Sequence, residues 1–202
     1  MVFQIIGFTI LIAFYGCYFA KMLSQKKKGI QTDHLGKGKV GPVKYIEVIM
    51  KITTHIVPIA EAICIVLNIT ALPAWARITG AVIGVAGLAV FTISVLTMRD
   101  SWRAGVSETD TTALVTGGIY QISRNPAFLG FDLVYIGILL MFFHWVLFAL
   151  SALAALMFHL QIVNVEEDFL IASFGDEYIE YKKKVNRYLG RSTADPVPFR
   201  NK

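Results

Sequence analysis

Five stretches of the chain stay apolar for the length of a membrane span, and most polar residues lie between them. They cover residues 3–23, 48–72, 76–98, 127–143 and 145–165. A helix needs about 20 residues to cross the roughly 30 Å hydrocarbon core of a bilayer. Backbone groups in lipid must be bonded within the segment, so each stretch predicts a helix. Barrel strands alternate apolar and polar positions, and these runs do not. The pattern predicts an all-α integral membrane protein with five transmembrane helices in a single membrane domain, 1–202. Residues 1–98 supply three helices, and 99–202 supply a connector, the last two helices and a tail. Nothing rich in Gly or Pro parts the last two runs. Their break is expected at Phe142-Phe143-His144-Trp145, whose aromatic and polar mixture suits a membrane interface. The first run lacks a basic start and is followed by Lys21 to Lys28, so it reads as a span, not a cleaved signal peptide.

After residue 166 the helical period continues, interrupted at Gly175. Phe169, Leu170, Phe174, Tyr178 and Tyr181 alternate with charge and end beside Lys182, Lys183 and Lys184. This predicts a helix leaving the membrane and a C-terminal amphipathic helix lying along its surface. In the third run, Gly80, Gly84 and Gly87 have the small-residue spacing that lets helices approach closely, here expected within the chain.

Composition fits this reading. Only 16% of residues are charged, against about 25% for a typical soluble domain, and 55% are apolar. The net charge of +5 sits next to membrane-length runs, where anionic lipid rather than nucleic acid is the partner. Seven Lys fall from Lys21 to Lys44, three Arg from Arg99 to Arg124, and seven Lys or Arg after Glu166; the other side holds only Arg77. By the positive-inside rule the N-terminus is outside and the C-terminus cytoplasmic, which requires an odd number of spans. A bacterial or archaeal plasma membrane is the expected location. Cys17 and Cys64 lie within apolar runs without metal-ligand spacing and read as small buried hydrophobes.

Ionisable groups near the membrane are the candidates for chemistry. Arg124-Asn125-Pro126 opens the fourth helix, where free N–H groups and a guanidinium suit an anion or a carboxylate. Glu166-Glu167 ends the fifth; acids there oppose the helix dipole and so call for a cationic partner, either Arg124 or a ligand. The connector carries Ala113-Leu114-Val115-Thr116-Gly117-Gly118, whose glycines allow close approach. Lys51, His55 and Glu61 on the second helix suggest an internal hydrogen-bonded pair or a proton path. No metal-ligand cluster, phosphate loop or nucleophile triad is present.

Leu114-Val115-Thr116-Gly117-Gly118-Ile119-Tyr120 followed by Arg124-Asn125-Pro126-x-Phe128-x-Gly130 resembles the LVTxGxY…RHPxYxG signature of the isoprenylcysteine carboxyl methyltransferase family. Glu166-Glu167 and Phe174-Gly175-Asp176-Glu177-Tyr178-x-x-Tyr181 resemble its EE…FGxEYxxY ending. The resemblance covers roughly residues 102–189 and extends to phospholipid methyltransferases. It implies an S-adenosylmethionine-dependent methyltransferase, yielding S-adenosylhomocysteine, whose site faces the cytoplasm. Carried over by position, Gly105, Ala113, Leu114, Val115, Tyr120, Asn125, Pro126, Phe128 and Glu166 would bind the cofactor, with Arg124 and Glu167 catalytic and no metal. The acceptor would be lipophilic: a prenylcysteine-like carboxylate or a lipid headgroup.

The chain departs from the pattern at three positions. Asn125 replaces a His and cannot titrate near neutrality. Phe128 replaces a Tyr. Ile162 stands where the eukaryotic prenylcysteine enzymes carry an Arg linked to the substrate carboxylate, which leaves the acceptor open. Two other readings share the pattern: a nicotinamide-dependent lipid or sterol reductase, and a non-enzymatic lipid-binding membrane protein. The reductase would need a more basic pocket than Arg99, Arg103 and Arg124 provide against Glu108 and Asp110.

Overall fold

The computed structural model describes residues 1–36, 39–106 and 112–191; Glu108 and Asp110 lie outside these. Its helices are α1 (Val2–Lys27), α2 (Gly41–Val66), α3 (Ala74–Met98), α4 (Pro126–Met141), α5 (Trp145–Gln161), α6 (Glu167–Phe174) and α7 (Asp176–Lys184). Among the described residues there are no strands, only two isolated bridges. Four helical runs are long and apolar enough to cross a membrane: α1, α2, α3 with its following turn, and the unbroken stretch Trp145–Phe174. The fifth expected span, α4, has 16 residues, or about 24 Å of helix.

Two boundaries differ from the expected ones. The second helix begins at Gly41, with Pro42 in its first turn where a missing N–H costs nothing. It stops at Val66 because Asn68 takes a left-handed φ of 49°. Lys44 and Glu47 dilute the apolar signal at its start, and the apolar residues up to Leu72 lie in a loop. The fifth helix does not end at Glu166. It passes through a π-helical turn, Ile162–Glu166, directly into α6. Glu166 and Glu167 are therefore mid-run, and the argument from an opposing helix terminus does not apply to them. Gly175 (φ 52°) separates α6 from α7, and α4 and α5 part at the expected aromatic corner, where His144 Nδ1 accepts the Val146 N–H at 3.3 Å.

The helices α3 and α4 pack backbone to backbone. A methyl at Gly137 would lie 2.6 Å from Gly84 Cα, and one at Gly130 would lie 2.7 Å from Phe91 Cβ. The glycine stripe is thus an internal seam. Beside it an aromatic cluster joins α1, α3 and α4: Phe14 meets Phe91 and Phe131 at centroid distances of 4.5 and 4.7 Å.

One end of the bundle collects the basic loops. Lys28 pairs with Asp100 at 2.8 Å, Lys51 with Asp33 at 2.6 Å, and the Gln25 amide donates to the Trp102 carbonyl at 2.8 Å. At the other end the Arg77 guanidinium stands over the rings of Phe3 and Phe142, 4.4 and 5.0 Å from their centroids.

Candidate functional site

The α4–α5 hairpin returns the chain to the basic end, and this brings Arg124 to Glu167. Arg124 Nη1 lies 3.1 Å from Glu167 Oε1, and both side chains are almost wholly buried. Lys182 Nζ reaches Glu167 Oε2 at 2.8 Å. Arg187 completes a fork, with Nε 2.7 Å from Oε1 and Nη2 3.2 Å from Oε2. Arg124 Nη1 also donates to the Tyr178 hydroxyl at 2.9 Å. One buried carboxylate is thus met by three cations. The bond to Glu167 holds the Arg187 guanidinium above its ordinary range.

Two of these partners come from the chain after α6, which folds back as a strap. The Arg124 N–H donates to the Asn186 carbonyl at 3.1 Å and the Gly190 N–H to the Ile122 carbonyl at 2.9 Å. Asn125 Nδ2 donates to the Arg187 carbonyl at 3.1 Å. The position where the family pattern has His therefore anchors the strap. Pro126, buried, starts α4 behind it.

Leu114, Val115 and Tyr120 join Tyr178, Tyr181 and Val185 in a small apolar cluster against this end. The Tyr181 hydroxyl donates to the Tyr120 carbonyl at 2.5 Å. Burial pushes the phenols of Tyr120, Tyr178 and Tyr181 above their ordinary range. Ala113 lies exposed at the edge, its N–H 3.3 Å from Ser101 Oγ.

Glu166 faces elsewhere. The π turn puts residues five apart on one face, so Gln161 Nε2 comes 3.5 Å from Glu166 Oε1. The same nitrogen is 3.4 Å from Oε1 of Glu47, a fully buried residue of α2 whose Oε2 accepts the Gly36 N–H at 2.6 Å. One turn away on each helix, Met50 and Phe158 line a cavity of about 330 Å³. Tyr15, Trp102 and Phe131 also wall it, and Asp33 and Lys51 stand at its rim. Gly105 and Phe128 line this cavity and are not part of the Arg124 cluster. Gly105 has φ +81°, and its backbone approaches Leu35 closely.

Among the described residues Lys51, His55 and Glu61 form no side-chain pair with one another. Lys51 binds Asp33, His55 bonds to the Lys51 carbonyl at 2.7 Å, and both carboxylate oxygens of Glu61 are buried without a hydrogen-bond partner among the described residues. Arg187, Glu47 and Gln161 were not singled out from the sequence, and Lys182 only as part of the basic end of the tail helix. None of them lies in a recognisable motif, and only the fold brings them to the acidic pair.

These features define a class: a polytopic helical membrane protein whose last helices and strap bury an acid–base cluster beside an apolar cavity. The chain belongs to the phospholipid methyltransferase family, whose sequence pattern matches residues 75–177, half its length. It is similar to the protein-S-isoprenylcysteine O-methyltransferases of fission yeast (Schizosaccharomyces pombe), human and Arabidopsis thaliana. Identity to the fission yeast protein is 38% over 72 residues, which is 36% of this chain and 30% of that protein. To the human protein it is 32% over 113 residues, 55% and 40% of the two chains. To the Arabidopsis A protein it is 34% over 88 residues, 44% and 41%. The matches span less than half the length of these relatives. All three are eukaryotic, so they lend no support to a bacterial or archaeal plasma membrane.

Proposed function

We propose that the protein transfers a methyl group from S-adenosylmethionine to a lipophilic acceptor, a prenylcysteine-like carboxylate or a lipid headgroup, at the cytoplasmic face of the membrane. The observation that carries this reading is the unequal treatment of the acidic pair. Glu167 has three cationic partners. Glu166 and its neighbour Glu47 have none among the described residues, one helical turn from an apolar cavity. The cluster suits the cationic amino group of the donor, and the buried Gln161 Oε1, without a hydrogen-bond partner among the described residues, supplies a further acceptor. Family membership and the named relatives support the reaction class.

Bound S-adenosylmethionine supplies an electrophilic methyl on a sulfonium, so the chain has to provide proximity and alignment. Glu166 holds the donor's amino end. Leu114, Val115 and Tyr120 form an apolar wall, Ala113 its exposed edge, and Asn125 and Pro126 fix the start of α4 beside it. Arg124 and Glu167 are already bound to each other, and in this reading they act as a positioning pair. Phe128 and Gly105 face the acceptor's apolar chain, which enters between helices from the bilayer. The gathering of Lys28, Lys51 and the strap at one end supports a cytoplasmic site, with five spans and the N-terminus outside.

The test is calorimetric titration of detergent-purified protein with S-adenosylhomocysteine, alongside thermal melts with that compound or a nicotinamide dinucleotide. The expected result is saturable binding of S-adenosylhomocysteine, a melting temperature raised by it alone, and weaker binding in Glu166→Gln. No binding to the wild type would overturn the assignment.

A further inference from the structure

The Glu47 carboxylate belongs to no motif and lies outside the family-matched region, yet it is fully buried. Its recorded partners are the Gly36 N–H at 2.6 Å and the Gln161 amide at 3.4 Å. Gln161 is equally buried, and its amide nitrogen is shared with Glu166 at 3.5 Å. Both of these distances are long for hydrogen bonds that would satisfy a charge. Among the described residues the Gln161 Oε1 has no hydrogen-bond partner. Among the described residues no Lys, Arg or His pairs with Glu47 or Glu166, although three cations converge on Glu167 one residue along the chain. Among the described residues, a buried carboxylate (Glu47) and a half-buried one (Glu166) thus meet without a counter-charge, which is costly. A ligand cation offsets that cost.

The acceptor set indicates which cation. Glu47 Oε1, Glu166 Oε1 and Gln161 Oε1 come from three side chains that meet at one amide. A primary ammonium has three N–H donors. A sulfonium has none and would leave the amide oxygen unmet. The seat is fixed by rigid elements: Glu47 by α2, Gln161 by the end of α5, and Glu166 by the π turn that stacks it over Gln161.

We propose that Glu47, Gln161 and Glu166 form a cradle for a primary ammonium group, and that Glu47 is a further binding residue for the amino-acid end of the methyl donor. This rests on the methyl-donor reading above.

The experiment is calorimetry on the full-length protein in detergent with three probes. They are S-adenosylhomocysteine, its deaminated analogue, and 5′-methylthioadenosine, which lacks the amino-acid end. In wild type the deaminated analogue binds roughly ten- to a hundredfold more weakly than S-adenosylhomocysteine, the loss expected for a charged hydrogen-bond site. Glu47→Gln weakens S-adenosylhomocysteine by a similar factor and leaves 5′-methylthioadenosine unchanged. Equal affinity of wild type for the first two probes overturns the cradle without needing any variant. So does a Glu47→Gln protein that binds S-adenosylhomocysteine as well as wild type does, or that loses both ligands equally. If wild type binds S-adenosylhomocysteine tightly and only these contrasts fail, the cradle falls and the methyl-donor reading stands. If wild type binds none of the three, both fall.

Discussion

Arg187 grips Glu167 through two parallel contacts, Nε to Oε1 at 2.7 Å and Nη2 to Oε2 at 3.2 Å, across twenty residues of chain. The contact ties the part of the strap beyond α7 to the start of α6. Through Asn125 and the Arg124 backbone it also ties both to the start of α4. The end of the bundle that holds the acidic pair is therefore closed by sequence that lies beyond the family-matched region.

Removing the central acid should cost more than removing one of its partners. Glu167→Gln strands Arg124, whose side chain is 6% exposed, without its counter-charge. A loss of about 3–5 kcal/mol is expected. Arg187→Ala leaves Arg124 and Lys182 in place and removes a partly exposed group, for a loss of about 1 kcal/mol. Thermal unfolding in detergent measures both, and a larger loss in Arg187→Ala would reverse the ranking.

Freeing the strap should make its basic residues easier to cleave. Asn125→Ala deletes the donor to the Arg187 carbonyl. Trypsin is then expected to cut at Lys182, Lys183, Lys184 and Arg187 faster than in wild type, with the membrane helices intact. Unchanged digestion kinetics would show that Asn125 does not hold the strap.

The α3–α4 seam has no room for side chains. Gly137→Val places atoms against Gly84 and Gly80 of the facing helix, and overpacking of this kind costs about 1–3 kcal/mol. Gly16 has nothing near its Cβ position, so Gly16→Ala serves as the neutral control. A melting temperature lowered equally by both substitutions would argue against the seam.

Alkaline pH should loosen the tail cluster. Burial raises the phenols of Tyr120, Tyr178 and Tyr181 in the folded state. Their stabilising contribution is fully present below the unfolded value of about 10 and is lost as pH climbs through the folded values. Tyrosinate absorbance during an alkaline titration should show late-titrating phenols, one fewer in Tyr181→Phe. That variant should also lose about 0.5–1.5 kcal/mol at neutral pH with its bond to the Tyr120 carbonyl.

Helix positions could be read from the sequence wherever apolar runs are uniform, as in α1, α3 and the corner at His144. The start of α2 was hidden because Lys44 and Glu47 look like loop residues until the burial of Glu47 is known. The pairing of Arg124 with Glu167 could be anticipated, since adjacent helices joined by a short corner must return to the same end. The division of labour between Glu166 and Glu167 could not. Two neighbouring acids of identical type differ only in the direction the π turn gives them. Their partners Arg187, Gln161 and Glu47 are placed by packing between elements with no sequence signal in common.

The π turn at Ile162–Glu166 also sets a phase. It holds one more residue than an α turn would, and a single residue rotates everything downstream by about 100°. Deleting one residue between Ile162 and Val165 would leave the helix continuous and its apolar length almost unchanged. It would nevertheless swing Glu167 away from Arg124 and carry Glu166 off Gln161. The insertion works as an angular key: any chimera that grafts α6 and the strap onto another bundle must carry these five residues with them, or both acids will face the wrong neighbours.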